Sequence, residues 1–134
     1  MYRPRLILMI GLLALAGGCN SGRQTVTGKV TYEDGAPVTA GTVVAEATID
    51  GKMVGIQGNI ESDGTFRMGG ATPGDGALPG SYRVMIIAPS LSDFEKGQGK
   101  KPAFGGYDSF EKSGITLEVK PGKNELPIKV QHPK

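Results

Sequence analysis

Apolar and polar residues alternate along most of the chain after Gln24, and this period of two restricts the fold more than any other feature. In the segment 26–32 the even positions are apolar or glycine and the odd positions are polar. Successive side chains of a β-strand point to opposite faces, so the pattern predicts a strand buried on one face. Six further segments are predicted as strands: 42–48, 54–60, 65–68, 82–88, 115–120 and 126–130. After residue 24 the chain offers no convincing helical period.

Two of these segments also indicate their place in a sheet. Segment 82–88 is apolar on much of both faces, which predicts a central strand. Pro127 has no N–H to donate to a neighbouring strand, so segment 126–130 is predicted to lie at a sheet edge or to contain a local break.

The turns between the strands predict the fold class. Asp63-Gly64 predicts a two-residue hairpin of type I′, because that turn needs positive φ at both central positions. Asp50-Gly51 predicts another turn. Seven short strands with closely spaced turns predict an all-β fold, a seven-stranded antiparallel β-sandwich, with an open barrel as the alternative.

The first eighteen residues are predicted to be a signal peptide. Arg3 and Arg5 precede an apolar run at 6–16, and small residues then lead to Cys19. The run is shorter than the roughly 20 residues that a membrane-spanning helix needs. All 13 acidic residues but only 13 of the 15 basic residues follow residue 18, so the mature chain is formally neutral. This balance favours neither nucleic acid nor anionic lipid as a partner.

Cys19 is the single cysteine, so an exported domain could form no internal disulfide. The sequence Leu15-Ala16-Gly17-Gly18-Cys19 resembles the lipobox of bacterial lipoproteins, although Ala16 stands where leucine is usual. The resemblance implies that Cys19 carries a diacylglycerol and becomes the N-terminus, with the short tether 19–24 holding the domain 25–134 near a membrane. The alternative is a plain secreted protein with a free thiol.

Several motifs resemble carboxypeptidase regulatory-like, transthyretin-like domains. They are Val26-Thr27-Gly28-Lys29-Val30, Gly35-Ala36-Pro37-Val38, Asp63-Gly64-Thr65-Phe66, Pro79-Gly80-Ser81-Tyr82-Arg83-Val84 and the segment 113–124. In this order they resemble small lipoproteins of the planctomycete type. The resemblance implies a prealbumin-like sandwich at the cell envelope, on the periplasmic face, with no established activity. Asn20 is not an acidic retention signal, which favours the outer membrane.

Residues suited to catalysis or metal binding are few. His132 is the single histidine and is predicted to be a solvated residue near the chain end. Zinc needs clustered Cys and His, and calcium needs six to eight oxygens, whereas Asp63 and Asp75 are isolated acids. We therefore predict no catalytic residues, metal site or cofactor. The predicted function is a non-catalytic binding or structural module, with an accessory domain of a carbohydrate-active or other envelope enzyme system as the alternative.

Segment 89–113 is not explained by strands and turns. Its aromatic residues are Phe94, Phe104, Tyr107 and Phe110. Long loops often carry function, so one hypothesis is an adaptable contact surface for an envelope protein or glycan. The other hypothesis is that Phe104, Tyr107 and Phe110 fold back and cap the open end of the sandwich. Capping is favoured, because exposed aromatic patches are uncommon on soluble domains.

Overall fold

The computed structural model of the chain describes residues 22–89, 97–99 and 104–132. Its strands are β1 (Thr25–Tyr32), β2 (Thr42–Ile49), β3 (Lys52–Asn59), β4 (Thr65–Arg67), β5 (Gly80–Ile87), β6 (Ile115–Val119) and β7 (Lys123–Val130). Each lies where the sequence predicts a strand, and the all-β class is confirmed. A one-turn helix that the sequence does not predict, α1 (Phe110–Ser113), precedes β6. The predicted signal peptide, 1–18, lies outside the described residues.

The strands form two sheets, with the orders β4-β1-β7 and β3-β2-β5-β6. Neighbouring strands are antiparallel except for β1 and β7, which run parallel from Thr25 opposite Lys123 to Tyr32 opposite Val130. The prediction of an entirely antiparallel fold is therefore wrong for this pair. Local turn signals link strands that follow each other in sequence, and they contain no information about a pairing between the first and the last strand.

Both predictions about the place of a strand in its sheet are confirmed. β5 has β2 on one side and β6 on the other. β7 is an edge strand, where Pro127 lies opposite Lys29 and needs no second strand partner.

The hairpin predicted at Asp63-Gly64 occurs instead at the other Asp-Gly dipeptide, Asp50-Gly51. Asp50 and Gly51 form the two-residue loop between β2 and β3, and both have positive φ, +51° and +76°. At the second pair only Gly64 has positive φ, and β3 and β4 belong to different sheets. The Asp63 carboxylate accepts hydrogen bonds from the backbone N–H and the hydroxyl of Thr65. The predicted Asp63-Gly64 hairpin is therefore wrong, because this dipeptide forms a corner between the sheets.

One hydrophobic cluster contains inward-facing residues of both sheets. The three-stranded sheet contributes Val26, Val30, Phe66, Leu126, Ile128 and Val130. The four-stranded sheet contributes Val43, Ala45, Ile56, Tyr82, Val84, Ile86 and Leu117. Directly after β4 the chain passes from one sheet to the other: Met68 donates to the carbonyl of Val26 (2.9 Å), and Gly69 then pairs with Gln57 of β3.

The strands run between two ends of the domain, which we name after one residue of each. The Gly22 end comprises 22–24, 49–53, 75–80 and 119–123, and the Phe104 end comprises 32–41, 59–65, 87–89, 104–109 and 130–132. At the Gly22 end, Gln24 pairs with Ala77, and its side-chain oxygen accepts from the N–H of Gly122 (2.8 Å). Residues 22–24, assigned to the tether on sequence grounds, therefore take part in the fold.

Candidate functional site

The aromatic residues of segment 89–113 occupy different environments. Phe104 is 3% exposed and belongs to the hydrophobic cluster, where its ring lies beside Gly41. Phe104 takes a positive φ of +68°. Tyr107 packs on the cluster, and its carbonyl accepts a hydrogen bond from the N–H of Ile86 in β5 (2.7 Å). The Phe104 side chain is therefore withdrawn from solvent, as the capping hypothesis expects, and itself offers no contact surface.

Phe110 lies apart from this cluster, on α1. The guanidinium of Arg83 lies 5.3 Å from the centre of the Phe110 ring, a cation–π geometry. Arg83 also forms ion pairs with Glu46 and with Glu111, the latter at 3.6 Å. Phe110 is half-buried by these contacts. The other two sequence-predicted site residues, Cys19 and Phe94, lie outside the described residues.

His132 is more constrained than a solvated tail residue. Its ring stacks on Tyr32 with centroids 4.0 Å apart, and its Nε2 lies 2.9 Å from Oδ2 of Asp34. The backbone N–H of Ala36 and then the His132 ring hold the pKa of the Asp34 carboxyl below its ordinary value. A His–Asp pair resembles part of a catalytic triad, but none of the contacts that the described residues make with this pair brings in a nucleophile.

A second polar cluster joins the start of the described chain to the loop after β4. The Arg23 guanidinium lies 3.3 Å from the Asp75 carboxylate and donates to the Gly76 carbonyl (2.9 Å). The other Asp75 oxygen accepts from the N–H of Gly70 (2.7 Å). Asp75 and Asp63, the two acids considered for calcium, are thus both bonded to groups of the chain itself. Among the described residues, no three Asp, Glu, His or Cys side chains are close enough together to hold a metal ion.

Two surface grooves have the size of a small-molecule site. One, of about 420 Å³, lies between the end of β3 and residues 70–74; the other, of about 490 Å³, covers the outer face of the three-stranded sheet. Arg67 and Phe66 line both grooves, but Phe66 is only 1% exposed and offers no stacking surface. Both grooves mix polar side chains, such as Thr65 and Arg67, with glycine and apolar residues, and their linings single out no particular ligand chemistry.

No family model, curated protein or solved structure matches this chain. Within the part of the chain that the structure describes, there is also no helix with the length and apolar character needed to cross a membrane.

Proposed function

We propose that this chain is an envelope lipoprotein, anchored in a membrane by a diacylglycerol on Cys19, and that its β domain is a non-catalytic binding or structural module. The observation that carries the proposal is the position of the lone cysteine. It follows a charged, apolar and small-residue leader directly, in a sequence that resembles a lipobox. Two acyl chains would suffice for stable anchoring, whereas a single chain binds a membrane reversibly.

The start of the described chain supports a domain held close to the bilayer. Gly22 is three residues after Cys19, and Gln24 is already paired with Ala77. A fully extended chain spans at most about 3.6 Å per residue, so Cys19 lies within roughly 11 Å of Gly22. An anchor at Cys19 therefore brings the Gly22 end of the domain to the membrane surface.

We infer further that the two sheets face each other as a seven-stranded, prealbumin-like sandwich. The single hydrophobic cluster shared by both sheets supports this arrangement, because a sheet that is apolar on one face must bury that face against another layer. The arrangement predicts nuclear Overhauser effects between the methyl groups of Val26, Val30 and Val130 in one sheet and those of Val43 and Val84 in the other. Cross-peaks confined to each sheet would contradict it.

Intact-mass measurement on the native membrane fraction tests the anchor. We expect a mature chain that begins at Cys19 and carries the added mass of a diacylglycerol. Cys19→Ser should lack this mass and leave the membrane fraction. A matched double variant, Cys19→Ser with Ser21→Cys, keeps one thiol but displaces it from the small residues 17–18, and it should also lack the lipid.

Two results would contradict the anchor. An unmodified mature chain in the soluble fraction would indicate a secreted protein with a free thiol. Membrane association of Cys19→Ser that persists in 1 M salt, which screens surface charges, would show that another part of the chain holds the protein there.

A further inference from the structure

Within the described residues, charge differs between the two ends of the strands. The Gly22 end contains four basic residues, Arg23, Lys52, Lys120 and Lys123, and two acidic residues, Asp50 and Asp75. The Phe104 end, counted over its described residues, contains five acidic residues and no Lys or Arg; the acids are Glu33, Asp34, Glu61, Asp63 and Asp108. Basic side chains therefore outnumber acidic ones at the end where the chain leaves the fold toward Cys19.

Three of the basic residues stand at sheet edges. Lys52 begins β3 and Lys120 directly follows β6, and these are the two edge strands of the four-stranded sheet. Lys123 begins β7, an edge strand of the other sheet. The positive charges are therefore spread around the Gly22 end rather than gathered at one point.

These three side chains are free to meet an external anion. All three are exposed, and none forms an ion pair with another described residue. The fourth, Arg23, is neutralised by Asp75. Asp50 is thus the one acid of the Gly22 end that lacks a basic partner among the described residues.

We propose that the Gly22 end rests on an anionic lipid surface, with Lys52, Lys120 and Lys123 facing the headgroup phosphates. The proposal rests on the lipid anchor at Cys19, because the short tether is what brings this end to the bilayer. A basic residue near an anionic surface favours binding by roughly fivefold, so several together select one orientation. The Phe104 end, at the opposite ends of the strands, then faces away from the membrane.

Lysine acylation measures this orientation directly. The mature lipoprotein is added to preformed vesicles of phosphatidylcholine, or of phosphatidylcholine with phosphatidylglycerol, and pulsed with an amine-reactive reagent. Mass spectrometry then reports the rate at each lysine. We expect the rates at Lys52, Lys120 and Lys123 to fall by on the order of tenfold on the anionic vesicles relative to the neutral ones. Among the described residues, the exposed lysines outside the Gly22 end are Lys29, Lys112 and Lys129, and these should keep their rates.

Salt and charge reversal sharpen the test. Salt near 1 M shortens the Debye length to about 3 Å and should abolish the difference between the two kinds of vesicle. The double variant Lys120→Glu/Lys123→Glu should lose the protection of Lys52. The matched variant Lys112→Glu/Lys129→Glu should retain it.

The outcomes separate the orientation from the anchor. Flotation of the protein with both kinds of vesicle, without selective protection of the three lysines, overturns the orientation and leaves the anchor standing. Equal protection at Lys29 and Lys129 also overturns the orientation. Failure to float with either kind of vesicle overturns the anchor, and the orientation falls with it.

Discussion

Gly28→Ala is expected to lower the free energy of unfolding by about 3 kcal/mol, as for an overpacked core. Gly28 lies in β1 between Phe66 of β4 and Leu126 of β7, and its missing side chain would point into the core. A Cβ at this position would come within 3.0 Å of the Leu126 carbonyl oxygen and of the Phe66 ring. The carbonyl is backbone in a paired strand, so it cannot rotate away, and the phenyl ring has no free space in a dense core.

Gly55→Ala is the matched control for this prediction. Gly55 is also a strand glycine, but it is exposed on β3, and a Cβ there would meet no atom within 4 Å. We expect the free energy of unfolding to be unchanged or to rise by about 0.5 kcal/mol, because alanine loses less backbone entropy on folding than glycine. Chemical denaturation of both variants measures the difference. Equal losses in the two variants would show that the close approach at Gly28 is not the cause.

Phe104→Ala is expected to lower the free energy of unfolding by about 3–5 kcal/mol, the usual cost of removing a buried phenyl ring. The ring is 3% exposed at the Phe104 end of the cluster, so its removal leaves a cavity. Phe110→Ala should cost no more than about 1 kcal/mol, since Phe110 is half-buried and its one ring contact of note is the cation–π contact with Arg83.

A third variant keeps this prediction measurable even where Phe104→Ala does not fold. Phe104→Leu retains most of the buried volume, so it should cost less than about 1.5 kcal/mol. The expected order of stability is therefore Phe110→Ala and Phe104→Leu above Phe104→Ala, measured by denaturant midpoints. If Phe110→Ala lowers the free energy of unfolding as much as Phe104→Ala does, then contacts of the helix α1, and not the buried ring, stabilise this segment.

The candidate site could be predicted only in part. The composition of segment 89–113 singles out its aromatic residues, but aromatic content is equally compatible with a core and with a contact surface. Burial of Phe104 depends on the space beside Gly41, far away in sequence. The contacts of His132 with Asp34 and Tyr32 likewise join residues about a hundred positions apart, and no local signal predicts them.

What the sequence by itself determined is the set of local properties: the all-β class, the positions of the seven strands, the central place of β5 and the edge place of β7. Each follows from the alternation of neighbouring residues or from the missing N–H of Pro127, which act within a few residues. Only the tertiary structure decided the parallel β1–β7 pair, the different turns at Asp50-Gly51 and Asp63-Gly64, and the placing of Lys52, Lys120 and Lys123 at one end of the described strands. These three features depend on which segments distant in sequence come into contact. The local alternation of residues is compatible with several strand pairings, and packing in the shared core selects one of them.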